Sequence, residues 1–203
     1  MPLFKDHQHR NIAFWGMAMI ALGLPLSIFL TSVGVIVLLI NWFLEGEVIK
    51  KSGKFFSDPL SLAITSVFIM YCIGMLWTGD LMSGLKDIKT KLPLLIIPLV
   101  LFTGKLPNKE KLRQVLMLFV VACMVGILFG LARYIDLSEP ELTNKRKLSV
   151  FISHIRFGLM LVLAFYILLY YLYAKWSVWS AAEKVISVLS LFCILCFILI
   201  IEA

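Results

Sequence analysis

Long apolar runs alternate with short, mostly basic connections along this chain, and the lengths of the runs decide the architecture. A helix that crosses a bilayer needs roughly 20 predominantly apolar residues. Residues 12–44 are almost unbroken apolar sequence, too long for one straight span, with Pro25 removing an intrahelical hydrogen bond. They read as two short helices, about 12–27 and 30–45, turning near Leu30 to Ser32. Residues 1–11 read as a polar tail, and residues 45–57, with Lys50, Lys51 and Lys54, as a polar loop. Asp58-Pro59 then pairs a capping carboxylate with a proline suited to the first helical turn, and opens a third span over about 59–78.

From Leu81 the pattern changes. Leu81, Leu85 and Ile88 share one helical face with Lys86, Asp87 and Lys89 largely opposite, which predicts an amphipathic helix over 81–91 lying on the membrane surface. Pro93 and Pro98 punctuate a short fourth span, about 92–104. Such helices occur where backbone groups are buried in protein or line a cavity, and a simple packing kink reads equally well. A basic connection, 105–114, leads to a fifth span over about 115–133, where Ala122, Gly126 and Gly130 recur every four residues and allow close helix approach. Residues 135–149 form the most polar loop, with Asp136, Glu139, Glu141 and the cluster Lys145, Arg146 and Lys147. A sixth span, about 151–174, and a seventh, about 185–203, follow. Trp176 and Trp179 between them, and Trp15, Trp42 and Trp77 near predicted helix ends, read as interfacial anchors. The expectation is an all-α, polytopic membrane protein of seven transmembrane helices in a single transmembrane domain covering residues 1–203.

Composition agrees, with 61% hydrophobic residues and a mean hydropathy of +0.98. The formal charge of +7 would suggest a nucleic-acid partner for a soluble domain. Here the basic residues occupy loops, so topology and anionic membrane lipids account for them, and no nucleic acid is implied. Counted over seven spans, the larger share falls on the side of the N-terminus, which places that end in the cytoplasm. The first apolar run imitates a signal peptide, but cleavage would leave no polar domain to export, so it reads as an uncleaved span. All four cysteines lie in apolar runs, which argues against disulfides, and Cys193-x-x-Cys196 has redox spacing but reads as packing. The seventh run reaches Glu202-Ala203 without an exit loop, and the chain is expected to be the N-terminal part of a longer protein.

Candidate chemistry is sparse. There is no glycine-rich phosphate loop, zinc-ligand spacing or nucleophile elbow, and no cofactor or metal is expected. His7 and His9 on the tail read as solvated. The stretch NKRKLSVFISHIRFGLMLVLA, residues 144–164, sets a basic cluster and then His154 and Arg156 at the lip of an apolar helix. A charge there is tolerated if it reaches headgroups or a partner. Arg156 thus reads either as a snorkelling edge residue or, with His154, as an anion ligand.

LKDIKTKLPLLIIPLVLF and SVFISHIRFGLMLVLA resemble the bacterial O-antigen ligase and polymerase family. These are inner-membrane enzymes that move polyprenyl-diphosphate-linked glycans. The first stretch is similar to that family's amphipathic segment running into a proline-containing helix, the second to the start of its mid-protein helix. The resemblance implies the N-terminal half of a C-fold glycosyltransferase, needing no metal, with a polyprenyl-diphosphate-linked glycan donor and a lipid or glycan acceptor such as lipid A–core. Arg156 is the best match to a donor-binding arginine, with His154, Arg133, Lys145, Arg146 and Lys147 behind it. The family's large periplasmic loop and its histidine have no counterpart in this sequence, so no catalytic residue is implied here. The rival expectations are a non-catalytic structural membrane subunit, which no sequence feature excludes, and a transporter or translocator of lipid-linked glycans. The transporter is disfavoured because the spans hold almost no mid-span ionisable residues and the chain shows no internal repeat.

Overall fold

The computed structural model describes residues 5–77, 79–136, 153–174, 176 and 179–202, and no strand occurs among them. The first helix, α1, covers Asp6–Leu26, beginning well inside the expected polar tail. Asp6 in its first turn favours the positive end of the helix dipole. His9 stands one turn before Ala13 and two before Met17 on the buried stripe, so it is fully buried rather than solvated. Helix α2 covers Ile28–Leu44. The break falls at Ser27, two residues after Pro25, and not at Leu30 to Ser32. The Ser27 hydroxyl accepts from the Leu30 amide at 3.4 Å. Its carbonyl accepts from the Thr31 amide at 3.1 Å, which starts the new helix at once.

The expected polar loop at 45–57 is mostly a third helix, α3, Val48–Ser57. Its lysines disguise the pattern, because Lys51 and Phe55, one turn apart, are both buried. Gly46 (φ 71°) and Glu47 (φ 54°) take left-handed conformations and turn α3 by 114° from α2. That conformation costs a non-glycine residue about 1–2 kcal/mol, so the elbow needs a clamp. Helix α4, Pro59–Gly74, is capped by Asp58, whose carboxylate accepts from the Ser61 amide at 2.8 Å, and continues into a 3-10 turn, Met75–Trp77. Helices α5 (Leu81–Lys91), α6 (Pro93–Thr103), α7 (Lys109–Asp136), α8 (His154–Ala174) and α9 (Ala181–Glu202) complete the order.

Among the described residues, four segments are long and apolar enough to cross a membrane: Pro59–Trp77, Lys109–Ala132, His154–Ala174 and Ala181–Leu199. The bent α2–α3 pair makes a fifth if it counts as one span. At 11 residues, α6 rises only about 16 Å, roughly half a hydrocarbon core.

The described residues form two compact units. The first comprises Met1–Met17 and Ser32–Lys111. In it α1 and α2 run antiparallel and approach so closely that a Cβ on Gly16 would lie 2.8 Å from the Leu38 side chain. At the polar end a buried network ties four segments together. His9 Nδ1 meets Asn41 Oδ1 at 2.9 Å, and Asn41 Nδ2 donates to Glu45 Oε1 at 3.0 Å. Lys51 donates to Glu45 Oε2 at 2.7 Å and to the Trp42 carbonyl at 3.1 Å. The Lys105 amide, in the connection after α6, donates to both Glu45 oxygens at 3.2 and 3.1 Å. Trp42 is itself buried, its indole N–H bonded to Thr103 Oγ1 at 2.7 Å, so it is not an interfacial anchor. Trp15 and Trp77, by contrast, are largely exposed.

The second unit comprises Ala18–Thr31 and Leu112–Ala203. The small-residue stripe does what its spacing predicts. Ala122, Gly126 and Gly130 are buried, and the Phe157 ring sits where a Cβ on Gly126 would be, 2.8 Å away. Phe157 also packs edge-on to Phe197 of α9, and Leu161, Ala164 and Leu168 continue the buried stripe along α8. Many large side chains elsewhere face outward, such as Leu159, Tyr173 and Phe192, as a lipid environment requires.

Glu45→Ala removes the buried counter-charge of Lys51 and should destabilise the protein by about 3–5 kcal/mol, read as a loss of thermal midpoint in neutral detergent. Replacing both ions, Glu45→Leu with Lys51→Met, should restore much of that loss. Equal losses for the single and double variants would show that the pair does not clamp the elbow.

Candidate functional site

His154 is the first residue of α8 and half-buried, and Arg156 lies in its first turn and is exposed. On a helix, residues two apart point about 200° from each other. The two therefore do not close on one anion as a pair, although the exposed Arg156 is available alone. Arg133 belongs to the last turn of α7. Lys145, Arg146 and Lys147 lie outside the described residues, as do Glu139 and Glu141. Cys193 and Cys196 are free thiols, half-buried in α9. No group of three or more His, Cys, Asp or Glu among the described residues is placed to hold a metal ion.

A site that the sequence did not reveal is a groove of about 500 Å³ between α4 and α5 in the first unit. Its making begins at Asp80. One carboxylate oxygen accepts from the Met82 and Ser83 amides at 3.0 and 3.2 Å, the other from the Ser83 hydroxyl at 2.7 Å, so α5 starts abruptly after the 3-10 turn. The Ser83 hydroxyl and amide hold the Asp80 carboxyl below the ordinary carboxylate range. Gly84 then lets α5 come down on the Met75 side chain, 3.3 Å from where a Cβ would stand. Val67, Met70, Tyr71, Gly74 and Met75 line one side, and Gly84, Asp87 and Ile88 the other.

The orientation of α5 differs from a simple amphipathic reading. Ile88 turns toward α4 and Asp87 joins it at the groove, while Leu85 and Met82 are 55% and 72% exposed. Gly84 packs on Met75 of the 3-10 turn, and that contact leaves Asp87 and Ile88 lining the groove opposite α4. Lys91 sits over the Tyr71 ring, 5.1 Å from its centroid, and Lys86 and Lys89 are exposed on the same helix. An apolar channel beside a helix bearing three lysines suits an amphiphile with a hydrocarbon tail and an anionic head. Asp87 repels an anion from the channel itself and restricts the head to the lysine-bearing side of α5.

Compared with known proteins, the chain matches no family model, no curated protein and no solved structure.

Because the Asp80 value is lowered on folding, its contribution to the start of α5 is complete above the ordinary carboxylate range. It is lost as the pH falls through the lowered folded-state value. Asp80→Ala should raise amide exchange at Met82 and Ser83 severalfold at neutral pH and abolish this acid-dependent step. Unchanged exchange would show that α4 packing alone fixes the helix start.

Proposed function

We propose that the chain is a membrane glycosyltransferase component of O-antigen ligase type that binds a polyprenyl-diphosphate-linked glycan for transfer to a lipid or glycan acceptor such as lipid A–core. The observation that carries this reading is the apolar α4–α5 groove beside the lysines of α5. The resemblance of the α5–α6 and α8 stretches to that family supports it. In this account the isoprenoid tail lies along Val67, Met70 and Ile88, and Lys86, Lys89 and Lys91 attract the diphosphate. On the family resemblance alone, and independently of the groove, Arg156 is proposed as a phosphoryl ligand, its guanidinium able to hold two oxygens and stabilise a diphosphate leaving group. We assign no general base to this chain. Seven crossings, a cytoplasmic N-terminus and residence in the bacterial inner membrane belong to the same proposal.

A translocator of the same lipid is the second reading, favoured by the short α6 with Pro98 buried in it. It moves the donor without breaking the sugar–phosphate bond, so intact donor recovered on the far side of a vesicle would favour it.

Binding tests the shared requirement. The purified chain in neutral detergent should take a polyprenyl diphosphate at least about tenfold more tightly than the alcohol of equal length, as charge-assisted contacts demand. Gly74 lines the groove, and a side chain added there meets open space, so Gly74→Phe should fold and weaken both ligands. Arg156→Ala should weaken only the diphosphate, with partial rescue by Arg156→Lys. Equal affinity for the two lipids, unaffected by Gly74→Phe, would overturn the proposal.

A further inference from the structure

We infer that a second anion site, built for a phosphate monoester, lies in the first unit where the first two turns of α1 meet the segment leading into α7. A cavity of about 350 Å³ there is lined by Asp6, His7, Arg10, Asn11, Asn108 and Lys111. None of these residues belongs to the α4–α5 groove or to the start of α8, and the inference stands apart from the function proposed above.

Charge and hydrogen-bond direction both favour an anion in this cavity. Asp6, the one carboxylate in the lining, is already answered by Lys105, whose ammonium lies 2.6 Å from Oδ1. Arg10 and Lys111 are the cations that remain at the cavity. The Arg10 guanidinium donates to Asn108 Oδ1 at 3.5 Å, and the Lys111 ammonium donates to Asn11 Oδ1. Each cation thereby occupies an amide oxygen and keeps further N–H groups, since guanidinium has five and ammonium three. With those oxygens engaged, Asn11 and Asn108 offer the cavity their NH₂ ends. Asn11 Nδ2 lies 3.4 Å from His7 Nδ1. Asp6 keeps acceptor sites beside its bond to Lys105, but the remaining N–H groups of Arg10, Lys111 and Asn108 outnumber them, which favours an anion over a cation.

Geometry strengthens the assignment. Lys111 is half-buried with its ammonium 5.5 Å from the centroid of the Phe14 ring, so it is held in place rather than free to wander into solvent. Arg10 and Lys111 bring two positive charges to one small basin whose single carboxylate, Asp6, is shared between Lys105 and Arg10. A dianionic phosphoryl group matches the combined charge of Arg10 and Lys111, and its oxygens accept from guanidinium, ammonium and amide donors together. The amides of the first turn of α7, directly after Asn108, add a weaker attraction of the same sign. Free phosphate and the phosphomonoester headgroup of a lipid share this chemistry.

Two arms on the full chain separate the sources. In neutral detergent, inorganic phosphate is titrated against the protein. In lipid nanodiscs, phosphatidic acid is compared with phosphatidylcholine. Saturable binding in the first arm assigns a soluble phosphate, and preference for phosphatidic acid in the second assigns a headgroup. Arg10→Gln with Lys111→Gln should weaken whichever ligand binds by at least about tenfold, while Lys50→Gln with Lys54→Gln on α3, both exposed, should not.

The unaltered protein gives an independent readout. The bound phosphoryl group should slow modification of Lys111 by an amine-directed reagent, measured by peptide mass spectrometry, while the exposed Lys50 and Lys54 react at their former rates. Equal slowing at all three lysines, or no saturable binding in either arm, would overturn the inference.

Discussion

One buried carboxylate organises the first unit. Glu45 sits at the end of α2 and accepts hydrogen bonds from Asn41 on its own helix, from Lys51 on α3 and from the backbone after α6. Through Asn41 it also reaches His9 on α1. A carboxylate so deeply buried is tolerable only with a counter-ion and filled lone pairs, and Glu45 has both. The strained Gly46–Glu47 elbow depends on this arrangement, because it is Lys51, folded back onto Glu45, that holds α3 at its steep angle to α2.

Consequences spread outward from that clamp. With α3 fixed, Phe55 and the caps at Asp58 and Ser61 set the start of α4, and α4 supplies the wall against which α5 lies. With the Lys105 amide held by Glu45, the Lys105 side chain is in place to meet Asp6, and the connection to α7 is drawn toward the first turns of α1. The α4–α5 groove and the basic basin both adjoin segments that this buried ion pair helps to hold. The second unit is organised differently, by the Phe157 ring filling the space left at Gly126, with no buried ion pair among its described residues. Packing of small against aromatic residues holds helices together where apolar burial is no longer a driving force.

Local chemistry was legible in the sequence, and long-range chemistry was not. Asp58-Pro59 announced its helix start because the cap lies within three residues of its partner. The Ala122, Gly126 and Gly130 stripe announced a packing face because the spacing of one helix determines it. His9 and Lys51 looked solvated because charge and polarity argue for water unless a partner is known, and the partner of His9 is 32 residues away. Lysines also hid α3 as a helix, since its buried face carries one of them. The groove was invisible for a related reason. It exists only once Gly84 meets Met75, and α5 taken alone points a different set of apolar residues inward. His154 and Arg156 looked like a pair in the linear sequence, and the helix turns them apart.

On the proposed function, the α4–α5 groove receives the hydrocarbon tail of an anionic isoprenoid lipid. Photo-crosslinking with a polyprenyl diphosphate carrying a diazirine in its tail, followed by mass spectrometric mapping, tests it most directly. Labels concentrated on Met70, Met75 and Ile88, and displaced by excess unlabelled diphosphate, are the expected result. Labels scattered evenly over outward residues such as Leu159, Tyr173 and Phe192, with no displacement, would contradict it.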